Sequence, residues 1–225
     1  MMTSSAPYSE AFVWVWLPGA TEPVVAGRLA KGAGDTLVFN YGRSYLERAD
    51  AIPLYGPELP LEPGELPLLP GLSMPGCLRD ASPDAWGRRV LINRKLGLKG
   101  EAAAPVELDE LTYLLESGSD RIGALDFQAS PTVYVPRLNQ AAPLSALVEA
   151  AAQIERGVPL PPELDEALQH GTSLGGARPK VMIADGAKKF IAKFSASNDL
   201  YNVVKAEYIA MRLAHEVGLI VAPVR

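Results

Sequence analysis

Lys193 and Glu207 are the residues whose types and spacing first suggest chemistry. Lys193 stands near the end of an apolar run, Phe190 to Phe194, that reads as a strand. Alternation puts Phe190, Ala192 and Phe194 on one face, Ile191 and Lys193 on the other. A lysine in a half-buried strand needs an anion, because an unpaired buried ammonium is costly. A phosphate would serve, and so would a carboxylate. Glu207 offers the carboxylate, at the edge of a helical apolar stripe formed by Ala206, Ile209, Ala210, Leu213 and Val217. Upstream, Ser173, Leu174, Gly175, Gly176 and Ala177 carry little side-chain bulk, so their backbone N–H groups can approach phosphate oxygens. Arg178 and Lys180 add positive charge beside them.

The order of these features matters more than any one of them. A small-residue loop leads into a strand at Val181 to Ala184, an Asp185-Gly186 hairpin turn, the strand lysine and then the helix glutamate. That is the ion-pair logic of kinase-type N-lobes, where the pair positions the lysine on nucleotide phosphates. Each feature also has a plain reading. The loop is an ordinary turn, the lysine snorkels to solvent, and the glutamate is solvated. SLGGARPK is not a Walker A sequence.

The elements that must position these residues follow from pattern. Phe12–Leu17, Val24–Ala30 and Asp35–Tyr41 read as strands of an antiparallel meander, with the turn at KGAG. Ala51 to Pro75 is dense in proline and reads as extended chain. It is too apolar for a flexible linker, so it is expected to pack across the sheet. Ser82 as N-cap, Pro83 in the first turn and Asp84 at the positive end of the dipole predict a helix bearing Trp86, Val90 and Leu91. Further helices are expected over 108–115, 144–155 and 163–170, and a strand after the turn in SGSDRIGALDFQ. A long helix over Asn202–Gly218 ends on Gly218 as C′ cap and is expected to pack on the sheet through Ile209 and Leu213. A new strand is expected from Val221. The fold class is α+β. Residues 1–10 read as a disordered leader, 11–100 as a small β-rich subdomain, and 101–225 as a kinase-like N-lobe with an antiparallel sheet and packed helices.

Composition narrows the class. A chain of 225 residues buries a real core, and a net charge of −5 argues against a broad nucleic-acid face. Cys77 is the only cysteine, so no internal disulfide forms. With only His170 and His215, a structural metal site is not expected. The N-terminus lacks signal-peptide character, and no apolar run reaches the length of a membrane span. A reduced, cytoplasmic location is the expectation.

The blocks LVFNYGRSYLERADAIPL, ASPDAWGRRVL, LLESGSDRIGALDF, SLGGARPK, FIAKF and KAEYIAMRLAHEVGL occur in this order. As a set they resemble the HipA family, bacterial serine/threonine kinases that act as toxins of toxin–antitoxin pairs. The resemblance implies that Ser173 is the phosphate-loop serine that such kinases autophosphorylate. It makes Gly175, Gly176 and Ala177 the loop over the phosphates, Lys180 the loop lysine, Lys193 the ATP-contacting lysine and Glu207 the helix carboxylate. The chain departs from the pattern at Arg178-Pro179, where proline removes one backbone donor. The implied cofactors are ATP and Mg, both only with a complete C-lobe. The aspartates that orient the substrate hydroxyl and hold magnesium belong to that C-lobe. This chain is therefore expected to hold no catalytic or metal-binding residue, to transfer no phosphate by itself and to have at most weak nucleotide affinity. The implied partners are a HipB-like DNA-binding antitoxin and a protein substrate such as an aminoacyl-tRNA synthetase. DNA is contacted only through the antitoxin, and no membrane is involved. A second reading is a catalytically empty interaction module that binds a separate kinase or antitoxin chain. A third, a plain β-rich binding protein, leaves Lys193 and Glu207 unexplained.

Overall fold

Alternating burial builds the first sheet. The computed structural model describes residues 8–96, 107–121, 123–137, 144–156, 158, 176–185, 188–196 and 198–225. Strands β1 (Glu10–Val15), β2 (Val24–Lys31) and β3 (Leu37–Tyr41) form the expected antiparallel meander. A bulge between Val13 and Trp14 shifts the β1–β2 register. Helix α1 (Arg43–Leu46) follows, and the two-residue strand β4 (Glu65–Leu66) pairs with β3. Strand β5 (Leu125–Gln128) pairs antiparallel with β1 at the other edge, giving the order β4-β3-β2-β1-β5. The sheet thus draws on residues well past 100.

The proline-rich segment packs on this sheet as expected: Leu59, Leu66 and Met74 are buried in its core with Leu29, Phe39 and Phe127. Backbone without a ladder still needs partners. Tyr41 supplies two, its hydroxyl donating to the Leu59 carbonyl at 2.8 Å and accepting from the Leu54 N–H at 2.9 Å. Tyr45 donates to the Ile52 carbonyl at 2.9 Å.

Helix α2 (Gly76–Arg79) leads to α3 (Ala85–Leu96), which begins later than Ser82 and Pro83 suggest. The Ser82 hydroxyl donates to Glu110 instead of capping α3, and the Pro83 carbonyl accepts from Arg88 Nε. The first helical bond, Arg88 N–H to the Asp84 carbonyl, makes Asp84 the entry residue. Helix α4 (Glu110–Glu116) starts on Asp109, whose side chain accepts from Thr112 N–H.

A second core forms around α3. Trp86 and Val90 pack with Leu147, Ala150, Ala151 and Ile154 of α5 (Leu144–Glu155) and with Val181 of the hairpin β6 (Lys180–Asp185) and β7 (Lys188–Lys193). Helix α6 (Val203–Glu216) is capped by Asn202 and closed by Gly218 at φ 84°. Two expectations fail here. Ile209 and Leu213 do not pack on the sheet; they are 56 % and 61 % exposed. The helix instead turns its Glu207 edge to β7, leaving the apolar stripe outward. Residues 219–225 form no strand; Arg225 stacks over the Phe190 ring at 4.7 Å. The helix expected over 163–170 lies outside the described residues. No helix among the described residues is long and apolar enough to cross a membrane.

Candidate functional site

The hairpin register decides which side chains meet. Lys180 stands directly opposite Lys193, Val181 opposite Ala192, Met182 opposite Ile191, and Ile183 opposite Phe190. Opposed residues share a face. Val181, Ile183, Ala192 and Phe194 turn to the second core, as alternation predicts, and the two lysines share the other face. Lys193 is not the buried ammonium expected, since its side chain is 43 % exposed, and it forms an ion pair with Glu207. The buried ammonium is Lys180, which is 7 % exposed and whose Nζ has no hydrogen-bond partner. Burial pushes the Lys180 pKa down; Asp84 pulls it back up, and Lys193 adds to the fall. Like charges directly opposite each other destabilise a strand pair, so an anion placed on this face would relieve their repulsion.

The described end of the glycine loop, from Gly176 on, lies beside that face. Ser173 and Gly175 lie outside the described residues. Gly176 has φ 108°, and a Cβ there would come within 2.8 Å of Lys180 Nζ, so the loop backbone runs directly over the ammonium. Ala177 is exposed. Arg178 adds no free charge, because Asp199 holds its guanidinium at 2.6 Å. Pro179 is buried and its carbonyl accepts from Phe194 N–H at 3.0 Å.

The start of α3 grips the loop. The Gly176 N–H donates to the Asp84 carboxylate, and Trp86 N–H donates to the Gly176 carbonyl at 3.3 Å. Trp86 Nε1 donates to the Lys180 carbonyl at 3.0 Å. Sequence reasoning placed Trp86 on an apolar stripe and missed these contacts. They join residues some 92 positions apart, so spacing carries no sign of them.

Comparison with known families bears on the same residues. A family model described as the HipA N-terminal domain matches residues 15–128, and one described as the HipA-like C-terminal domain matches residues 172–225. The chain belongs to the HipA family. No curated protein matches it. The first HipA match ends with β5, and the second takes in Lys180, Lys193, Glu207 and α6.

A cleft of about 370 Å³ lies beside Lys193, between α5, the end of β7 and the start of α6. Val148, Ala151 and Phe194 line it, and Lys193 and Lys205 add positive charge. The residues present fit a phosphate: an unpartnered buried ammonium, a second ammonium opposite it, and a glycine backbone passing above. Among the described residues no group of three or more His, Cys, Asp or Glu is placed to hold a metal.

Proposed function

We propose that this HipA-family chain binds the phosphates of ATP on the face that carries Lys180 and Lys193, with residues 173–180 covering them. In this reading it is the nucleotide-facing portion of a toxin serine/threonine kinase. The observation that carries the reading is the cross-strand Lys180–Lys193 arrangement, in which one ammonium has a carboxylate in an ion pair and the other has no hydrogen-bond partner. Glu207 fixes Lys193 so that its charge is held in place for a phosphate oxygen. Gly176 and Ala177 bring backbone close to the phosphates, and Ser173 is the serine whose phosphorylation shuts the enzyme off. Transfer to a protein serine further requires the aspartates and magnesium of a helical C-lobe, where the metal neutralises charge on the phosphates. A HipB-like antitoxin and an aminoacyl-tRNA synthetase substrate are the partners consistent with this family, acting in the cytoplasm.

The test is ATP titration of the 225-residue chain and its Lys193→Ala and Lys180→Ala variants by calorimetry. Each variant is expected to weaken binding roughly 10-fold, the worth of one charge-assisted hydrogen bond. Undiminished affinity in both variants would sink the reading. Phosphate transfer by this chain alone would refute the requirement for a C-lobe.

One observation favours the second reading, an interaction module for a separate kinase or antitoxin chain. The exposed stripe of Ile209 and Leu213 on α6, continued by Val217 at its C-cap, is an apolar face of the kind that marks an interface. Sedimentation of the purified chain separates the readings: a module that works through this face associates, and Leu213→Asp abolishes the association.

A further inference from the structure

We infer that Asp84 and Trp86, at the start of α3, are positioning residues that hold the phosphate loop in its binding shape. The inference rests on the nucleotide reading above and extends it to a part of the chain that touches no phosphate in that reading.

The contacts divide the loop backbone by polarity. Trp86 takes two carbonyls, those of Gly176 and Lys180, through its backbone N–H and its indole N–H. Carbonyl oxygens repel phosphate, so turning them into α3 removes the groups that would oppose an anion. Pro179 contributes a third carbonyl that is likewise occupied, by Phe194 N–H. Asp84 accepts the Gly176 N–H and fixes the residue whose φ of 108° sets the course of the chain over Lys180. Its carboxylate also favours the charged form of Lys180.

Trp86 is fully buried and anchored in the second core, whereas Asp84 is exposed. The loop is therefore held by one rigid donor and one removable acceptor. Substitution at Asp84 removes no core side chain, so its effect is read on the loop and not on the fold.

The experiment compares the 225-residue chain with Asp84→Ala, Asp84→Asn and Trp86→Phe. Amide hydrogen exchange is followed at Gly176, Ala177, Arg178 and Lys180, and inorganic tripolyphosphate is titrated by calorimetry. Asp84→Ala is expected to speed exchange at Gly176 and weaken tripolyphosphate roughly 10-fold, the loss of one hydrogen bond to a charged group. Asp84→Asn keeps a side-chain oxygen that accepts the Gly176 N–H, so it is expected to restore most of both. Trp86→Phe keeps the ring and loses the indole donor, and moves both readouts in the same direction as Asp84→Ala. Unaltered or tighter binding by Asp84→Ala overturns the inference, because the carboxylate would then be a bystander or a competitor for the anion site, while the nucleotide reading stands. If neither the wild type nor any variant binds tripolyphosphate or ATP, the nucleotide reading fails and the inference with it. Faster exchange in that case identifies Asp84 as a purely structural tie.

Discussion

Replacing Asp126 with asparagine should cost this protein about 3 kcal/mol, the lower end of the range for breaking a buried ion pair by removing one partner. Asp126 is fully buried in β5. One carboxylate oxygen accepts from Arg121 Nε at 3.0 Å and Arg137 Nη2 at 2.8 Å; the other accepts from Tyr134 at 3.0 Å and Gln128 at 3.1 Å. Arg121 is only 2 % exposed and stays charged. Asparagine leaves that guanidinium buried against a neutral amide. The lower end applies because Arg121 keeps its bonds to the Ala81 and Leu114 carbonyls, both 2.6 Å, and because Arg137 reaches solvent. The assay is urea unfolding, where the midpoint should fall with an unchanged slope. Acid supplies a second readout. Burial alone would raise the Asp126 pKa, but the Arg137 and Arg121 guanidiniums outweigh it and hold the carboxyl below its ordinary value. A carboxyl depressed in the folded state contributes stability that is complete above its unfolded pKa and lost as pH falls through the folded one. The gap between wild type and variant should therefore be full at neutral pH and close below the ordinary carboxylate range. A loss below about 1 kcal/mol, the worth of a surface pair, or a gap that persists in acid, would refute the reasoning.

Two further perturbations test the packing. At Gly27 an added Cβ would lie 2.2 Å from the Asn40 carbonyl oxygen and 2.6 Å from Phe39 Cζ, so Gly27→Ala forces β2 off β3. It should cost about 3 kcal/mol, and an unchanged thermal melt would show that the strands yield more easily than close packing allows. Cys77 is half-buried beside Glu58, and burial followed by that carboxylate pushes its thiol pKa up to about 11. Iodoacetamide at pH 8 should label the folded protein far more slowly than the urea-unfolded one, and equal rates would contradict the assigned environment.

Local chemistry was legible in the sequence and contacts between distant segments were not. Strands β1, β2 and β3, helix α5 and the Gly218 cap follow from alternation, length and capping residues, each a property of a few neighbouring positions. The faces of β7 followed from its period, and Lys193 did meet Glu207. The stripe on α6 was read correctly as a pattern, but a stripe names no partner, and Ile209 and Leu213 ended up exposed. The buried lysine was assigned to position 193 and stands at 180, because a strand's period says which residues share a face and not how deeply its end is covered. Part of the cover comes from Gly176, which is tied to Asp84, 92 residues earlier in the chain.

That cover changes how the first sheet relates to the candidate site. The turn carrying Asp84 is held from both ends. Arg121 Nη1 donates to the Ala81 carbonyl at 2.6 Å, and Ser82 and Arg88 both bond to Glu110 of α4. Arg121 is in turn fixed by Asp126 in β5, the strand that closes the first sheet. Asp120, next to Arg121, pairs with Lys189 of β7 at 2.6 Å, on the same hairpin that carries Lys180 and Lys193. A chain of direct contacts thus runs from the sheet edge through Arg121 to Asp84 and the Gly176 backbone, with a second route to the hairpin through Asp120. In the proposed reading the lysines meet a phosphate and need a backbone that does not drift, and a two-stranded hairpin is marginal by itself. These ties brace the hairpin against the first sheet, which gives a physical reason for an N-terminal β-rich part to precede the proposed phosphate loop in one chain.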